Sequence, residues 1–212
     1  MDEALSRLER RDRILEAALA HVPFDGWSRK SLYAGARDAG FDAATARLLF
    51  PGGGDDLLDH LDDWADRRML ARLDELDLGT MRVRERVAAA VRARLEVLAP
   101  HREAVRRALA ARTLPGNAVR ASRNLWRTVD AMWSAAGDVG GGFGYYSKRS
   151  LLAAVCSSTL LFWLEDRSEG FGDTWAFLER RIDDVMRIGG VRSRVENVLD
   201  ALAALNPLRR RA

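Results

Sequence analysis

The sequence has 212 residues, 48% hydrophobic and 31% charged, so it can bury a core and is unlike a disordered chain. The formal net charge of +3 comes entirely from residues 191–212, because the basic and acidic residues before them cancel. The single cysteine, Cys156, excludes an internal disulfide and a zinc site built from cysteines.

The N-terminal part of the chain is predicted to form three short helices. Its first residues carry charges of both signs and lead to no apolar stretch, so we expect no signal peptide. Ser28 and Asp42 suit the N-cap of a helix, and Gly40 suits a C-terminal cap. The tight turn at Gly40 predicts a helix-turn-helix-like unit over residues 1–52. Its predicted helices cover residues 7–21, 28–40 and 42–50.

Longer helices are predicted after the glycines at 52–54, because apolar residues recur at spacings of three and four. Residues 151–164 contain no charge, but fourteen residues are too few to cross a bilayer, so we expect a buried helix there. Residues 137–144 hold five glycines and predict a flexible or tightly turned loop. We assign residues 53–190 to a helical ligand-binding and dimerisation body. Its predicted helices cover residues 55–76, 83–98, 100–114, 118–136, 151–164 and 175–186.

A helix-turn-helix unit raises the possibility of DNA binding. Residues 1–60 hold eight basic and eleven acidic side chains, which leaves a net charge of −3. Because neutralisation of phosphates supplies most nonspecific affinity for DNA, this charge disfavours binding. We therefore favour a helical unit kept for packing. A ligand-sensing transcriptional regulator that binds DNA stays the alternative function.

Candidate catalytic and metal-binding residues are few. Asp56, His60 and Asp63 share one face of a predicted helix, but a solvated acidic face explains them better than a metal site. Cys156 lies in the most apolar helix, where a thiol is inert. No set of residues argues for catalysis. We expect neither an enzyme nor a metal site, and no cofactor other than a bound lipid.

The C-terminal residues 191–212 predict an amphipathic helix that ends in three arginines. Such a segment suits an anionic membrane surface. Docking on the body of the protein or on a second copy would bury the same apolar stripe, so that alternative stays open. The expected membrane-binding residues are Val195, Val198, Leu199, Leu202, Leu205, Arg209, Arg210 and Arg211.

Several segments resemble a known family, the lipid-binding accessory proteins of ubiquinone (coenzyme Q) biosynthesis in their alpha-proteobacterial form. The resemblance covers about residues 10–188. Its most specific segments are APHREAVRRALA (99–110) and DTWAFLERRIDDVM (173–186), and AALAHVPFDGW (17–27) and YYSKRSLLAAV (145–155) also match.

The resemblance implies an all-α fold similar to TetR-type repressors, with about nine helices, a C-terminal amphipathic helix and no remaining DNA-reading role. It implies a protein that binds isoprenoid quinone intermediates and presents them to demethoxyubiquinone hydroxylase. A homodimer, peripheral on the inner face of the bacterial inner membrane, is expected. Ten of the sixteen aromatic residues lie in residues 126–177, where an apolar ligand cavity or a large core would be.

Site residues follow from the same resemblance. Four residues match the family's partner-facing stretch: Phe143, Tyr146, Lys148 and Arg149. Tyr145 stands in place of its tryptophan, and glycines replace an aspartate and an asparagine. Another enzyme as partner is therefore the alternative. The expected partner-binding residues are Met132, Trp133, Phe143, Tyr145, Tyr146, Lys148 and Arg149. The expected lipid-binding residues are Leu125, Val129, Leu152, Val155, Cys156 and Leu160.

Overall fold

The computed structural model describes residues 5–113, 116–137 and 143–187, with residues 143–145 described by their backbone alone. In these parts of the chain all regular structure is helical, which confirms the predicted all-α class. Nine α-helices of seven residues or more, one α-helix of a single turn and three 3-10 turns are present there. The predicted membrane-binding tail, residues 191–212, lies outside these ranges.

Except for the single turn Val22–Asp25, which lies between two predicted helices, the helices occur close to the predicted positions. In chain order they are α1 (Arg7–Ala18), α2 (Val22–Asp25), α3 (Arg29–Asp38), α4 (Ala43–Leu49), α5 (Gly54–Asp74), α6 (Val83–Leu98), α7 (Arg102–Arg112), α8 (Ala118–Ala135), α9 (Phe143–Glu165) and α10 (172–187). Helix α9 begins before the uncharged stretch 151–164, so Phe143 and Gly144, the last two residues of the glycine-rich segment 137–144, are helical instead of part of a loop.

Side-chain caps and one close crossing shape the N-terminal helices. The Asp42 carboxylate accepts a hydrogen bond from the Thr45 amide at 2.7 Å, which caps α4. Gly40 has a φ of +84°, a conformation that favours glycine, at the turn between α3 and α4. Gly35 in α3 lies against the backbone of α1 at Ala18, since a Cβ at position 35 would be 2.6 Å from it.

Helix α5 is the centre of the first of two compact units, residues 1–156. It packs against α1, α3, α6 and α8, and its buried face includes Leu57, Leu61, Ala65 and Met69. The N-terminal three-helix unit therefore shares a core with the body that follows it. The division at residue 52 stays a prediction about function.

The second compact unit comprises residues 157–212, of which 157–187 are described. Trp163 and Leu178 are buried there, and the rings of Phe162 and Phe177 stack with centroids 4.6 Å apart. Asp166 accepts hydrogen bonds from the Ser168 and Thr174 amides at 2.7 and 2.9 Å. Although desolvation raises the pKa of Asp166, these bonds and one from the Thr174 hydroxyl lower it to about 2. Asp166 thereby holds the segment between α9 and α10 against the first turn of α10.

Candidate functional site

The first turns of α9 are tied to α8 by three side-chain pairs. The ring of Tyr146 stacks on Trp126 with centroids 5.9 Å apart, and Lys148 Nζ lies 5.7 Å from the ring centroid of Trp133. Arg149 Nε donates a hydrogen bond to Asp130 at 2.6 Å. Two aromatic pairings and an ion pair thus set the position of α9 along α8. We call the surface formed by Trp126, Trp133, Tyr146 and Lys148 the α8–α9 corner.

The expected partner-binding residues divide into exposed and buried ones. Tyr146 is 64% exposed and Lys148 is exposed, whereas Trp133 is half-buried. Met132 and Arg149 are buried, so these two can support a contact surface without forming it. The side chains of Phe143 and Tyr145 lie outside the described residues.

The expected lipid-binding residues lie on the inner sides of α8 and α9. Val129 on α8 is buried, as are Leu152 and Val155 on α9. Leu125, Cys156 and Leu160 are half-buried. Apolar residues that face inward in this way can line a cavity or complete a core, so their role in lipid binding stays a prediction.

Cys156 lies beside Met132 and close to the charged pair of Arg94 and Asp66. Its Sγ lies 3.6 Å from the Sδ of Met132, which links α9 to α8. Desolvation raises the pKa of the Cys156 thiol to about 12, so the sulfur stays protonated near neutral pH. A protonated thiol is a poor nucleophile, which agrees with the expectation of an inert cysteine.

A buried network of charges beneath α8 is the main feature that the sequence patterns missed. Arg94 of α6 donates to Asp66 at 2.8 Å and to Asp62 at 3.1 Å, and both carboxylates belong to α5. Asn124 and Thr128 of α8 donate to the same two aspartates. Although desolvation lowers the pKa of Arg94, the two carboxylates raise it, so the arginine stays charged.

The acidic face of α5 differs from its predicted form. His60 is buried, so the expectation of a fully solvated face is wrong for this residue. Its Nε2 lies 2.8 Å from Asp12 Oδ1, and its ring meets Phe50 edge-on. Arg67 binds both oxygens of Asp12, at 2.7 and 2.9 Å. Among the described residues, no group of three histidine, cysteine, aspartate or glutamate side chains could hold a metal ion.

The helix that would read DNA, α4, presents little to a nucleic acid. Its outward side carries Ala43, Ala44, Arg47 and Leu48, and Leu48 is 75% exposed. One arginine and three apolar side chains offer few contacts to phosphates or to base edges.

Sequence comparison finds relatives over most of the chain. The human ubiquinone biosynthesis protein COQ9, mitochondrial, is 36% identical over 197 residues, which are 90% of this chain and 62% of the human protein. The COQ9-B protein of Xenopus laevis is 34% identical over 90% of this chain and 67% of its own length. The chain belongs to the COQ9 family. A sequence profile of COQ9 matches residues 118–189, which include α8, α9 and α10.

Two further comparisons concern the length of the chain relative to other COQ9 proteins and its fold. The chain spans about three fifths of the length of the human and Drosophila melanogaster COQ9 proteins, and the fly protein is 32% identical. A TetR transcriptional regulator from Nitrosomonas europaea superposes with a TM-score of 0.68 over 83% of this chain and 97% of its own, at 24% identity. The expected TetR-like fold is therefore confirmed. Within the described ranges, none of the helices is both long and apolar enough to span a membrane.

Proposed function

We propose that this COQ9-family chain is a non-catalytic accessory protein of ubiquinone biosynthesis. It binds an isoprenoid quinone intermediate at a membrane and presents it to the hydroxylase that acts next. The observation that carries the proposal is the match to the COQ9 profile over residues 118–189, because this stretch contains the α8–α9 corner and the expected lipid-binding residues. The relatives' names state ubiquinone biosynthesis as their role.

The proposed lipid site uses the apolar side of α8 and α9. Val129, Leu152 and Val155 supply aliphatic surface, and the protonated Cys156 thiol beside Met132 adds a soft, uncharged contact. The isoprenoid tail would gain roughly 25 cal/mol for each Å² of apolar surface removed from water. We expect Leu125 and Leu160, which are half-buried, to lie toward the entrance of the site.

The α8–α9 corner is the proposed contact surface for the hydroxylase. Tyr146 and Lys148 project from the first turns of α9, and Trp133 lies beneath the lysine. Tyrosine and tryptophan side chains are typical of the centre of protein interfaces. Met132 and Arg149 would hold this surface in place from within. Phe143 and Tyr145 complete the expected contact set.

A membrane position follows from the expected tail. Its apolar stripe would enter the headgroup region while Arg209–Arg211 meet anionic lipids, each arginine adding about 1 kcal/mol. We propose a peripheral location on the inner face of the inner membrane, where a quinone intermediate is available. The relatives are named as mitochondrial proteins.

A homodimer through the last large helices completes the proposal. Helix α9 exposes Ser150, Ala154 and Leu161, which recur at spacings of four and seven along one side. Small residues on one side allow a second helix to approach closely. Sedimentation velocity of the wild type and of Leu161→Glu tests this: we expect a dimer and a monomer, respectively, and a monomeric wild type contradicts the proposal.

Lipid extraction followed by mass spectrometry tests the function directly. We expect isoprenoid quinone or a related lipid to co-purify with the wild type. The charged variant Leu160→Arg should lose most of it, whereas the control Leu76→Arg, at a 42% exposed leucine, should keep it. A protein that co-purifies with no lipid and shifts duplex DNA with a steep salt dependence would instead be a regulator.

Binding to the hydroxylase tests the α8–α9 corner. Lys148→Glu should weaken binding at least tenfold, because it reverses a charge at the centre of the proposed surface. Arg47→Glu, at an exposed arginine on α4, is the matched control and should bind normally. If the wild type and both variants bind the hydroxylase with equal affinity, the contact surface for the hydroxylase lies outside the α8–α9 corner.

Liposome flotation tests the tail. The double variant Leu199→Glu plus Leu202→Glu should lose most of its binding to anionic vesicles, because two charges in the apolar stripe oppose insertion. The same protein should keep its bound lipid. Flotation equal to that of the wild type would reject the tail as the anchor.

A further inference from the structure

Two segments that resemble the family, residues 17–27 and 99–110, meet in a part of the molecule that the proposed function does not use. Helix α2 lies against α7. The indole Nε1 of Trp27 donates a hydrogen bond to the backbone oxygen of Ala104 at 3.0 Å. We call the surface formed by residues 22–30 and 99–113 the α2–α7 corner. Both of its segments belong to the first compact unit, and neither α8 nor α9 contributes to it.

An aromatic side chain is held outward at the tip of this corner. Phe24 is 83% exposed, whereas its neighbour Val22 is completely buried. The Phe24 and Asp25 amides both donate to the His21 oxygen at 3.0 Å, so the turn is closed. Gly26, with a φ of +67°, ends the turn. Val22 anchors one side of this turn, and hydrogen bonds hold the backbone of the turn. Phe24 therefore cannot turn inward without breaking the turn.

The turn is also fixed from the side of α3. The Ser31 hydroxyl donates to the Gly26 oxygen at 2.8 Å, and Lys30 Nζ lies 2.7 Å from Asp25 Oδ1. A rigid turn that presents a large apolar side chain loses little conformational entropy when that side chain is buried against another surface. Phe24 is thus arranged for contact with something outside the chain.

The charge of the α2–α7 corner indicates which kind of surface Phe24 contacts. Residues 22–30 and 99–113 contain six cationic and two acidic side chains, a net charge of +4, in a chain whose first 190 residues are neutral. The side chains of Arg106 and Arg107 are 46% and 43% exposed. An apolar tip within a cationic surface complements the headgroups and acyl boundary of an anionic bilayer. The six cationic residues are Arg29, Lys30, Arg102, Arg106, Arg107 and Arg112. The last of them is largely buried and pairs with Asp62 of α5, so the positive charge that this corner presents to solvent comes from the other five.

We propose that the α2–α7 corner is a membrane-contact surface, with Phe24 inserted between anionic lipid headgroups and Arg106 and Arg107 beside it. This contact is separate from the tail at 191–212 and does not depend on it. Phenylalanine is favoured at the boundary of headgroups and acyl chains, and the arginines add an attraction that salt weakens.

Vesicle partitioning of the full-length chain tests the proposal. We expect Phe24→Ser to lower the partition coefficient on phosphatidylglycerol-containing vesicles about tenfold, since a partly buried phenylalanine contributes roughly that factor. Phe24→Leu should retain most of the binding. Leu48→Ser is the matched control, because it also removes a largely exposed apolar side chain, from α4, and should bind as the wild type does.

Charge variants and the tail variant distinguish this contact from nonspecific adsorption and from binding through the tail. Arg106→Gln plus Arg107→Gln should weaken binding and flatten its salt dependence, with no effect on uncharged phosphatidylcholine vesicles. In the Leu199→Glu plus Leu202→Glu background, the binding that remains should fall further with Phe24→Ser. These results are independent of whether the tail itself is an anchor.

Unchanged partitioning of Phe24→Ser, or an equal loss with Leu48→Ser, would overturn the proposal. If a Phe24→Ser protein that partitions normally also fails to restore ubiquinone synthesis in cells lacking the protein, the corner is assigned to a protein partner instead.

Discussion

Arg94 lies between the carboxylates of Asp62 and Asp66, with only 13% of its side chain exposed. Removal of this cation leaves the buried Asp66 without its closest cationic partner, whereas Asp62 keeps Arg112. We expect Arg94→Met to lower the free energy of unfolding by about 3–5 kcal/mol, the usual cost of breaking a buried ion pair from one side. Urea unfolding followed by circular dichroism measures this change.

The control for that substitution lies two residues away on the same helix. Arg92 is 55% exposed and pairs with Glu96 at 2.8 Å, one helical turn along. Arg92→Met should cost about 0.5 kcal/mol or less, because solvent screens exposed pairs. Equal losses in the two variants would mean that the buried network adds no stability beyond an ordinary surface pair.

The sequence held a signal for this network, although its meaning is clear only once the helices are packed. Arg94 follows Val91 by three residues and precedes Leu98 by four, so it occupies a position of the apolar stripe of α6. Asp62 likewise follows Leu58 by four residues on α5. A charge at a stripe position indicates a buried charge that needs a partner. Which partner it takes depends on how the helices pack, and the pattern of one helix cannot state that.

At the scale of helices, the crossing of α1 and α3 depends on the absence of a side chain at Gly35. A Cβ there would come within 2.6 Å of the backbone of Ala18, far closer than real contacts. We expect Gly35→Ala to cost about 1–3 kcal/mol through displacement of the two helices, despite the roughly 1 kcal/mol that alanine adds to helix propensity. Thermal unfolding should show a lower midpoint.

Gly116→Ala is the corresponding control. No atom lies within 4 Å of the Cβ position there, so the added methyl group meets open space. Its midpoint should stay within a few degrees of the wild type, since surface substitutions usually change stability by about 0.5 kcal/mol or less. A Gly35→Ala protein as stable as Gly116→Ala would show that the two helices separate without cost.

Contacts between helices explain why α9 begins earlier than predicted. The absence of charge predicts a helix at 151–164, yet α9 already begins at Phe143. Its first turns carry Lys148 and Arg149, and they are stabilised by pairing with Trp133 and Asp130 of α8. Periodicity locates the buried part of a helix, whereas tertiary pairing decides how far the helix extends beyond it.

At the scale of the whole molecule, charge is distributed unevenly. Residues 1–60 carry a net −3, the α2–α7 corner +4, and residues 191–212 +3. The first value could be read from the sequence directly. The second required the structure, because its two segments are about seventy residues apart and form one surface only after α2 packs against α7. The lipid site is the hardest to predict, since a cavity lining and a core have the same apolar composition.

Stability should depend on pH through the histidine that joins α1, α5 and the end of α4. His60 is buried against Phe50 and faces Asp12 and Asp63, with Arg11 and Arg67 nearby. Burial, and then the charge of Arg11, lower the pKa of His60 below its usual 6.5. The folded protein therefore holds this histidine neutral at a pH where the unfolded chain already binds a proton.

The sign of the effect follows from that difference. The stabilisation is complete above pH 6.5 and is lost as the pH falls toward the lowered pKa, by up to about 1.4 kcal/mol per pH unit. We expect His60→Gln to have a shallower fall in unfolding free energy between pH 7 and 5. Burial also lowers the pKa of His101, so a double variant with His101→Gln should be flatter still. Urea unfolding at several pH values measures the slopes, and a His60→Gln slope equal to that of the wild type would show that His60 is protonated equally in both states.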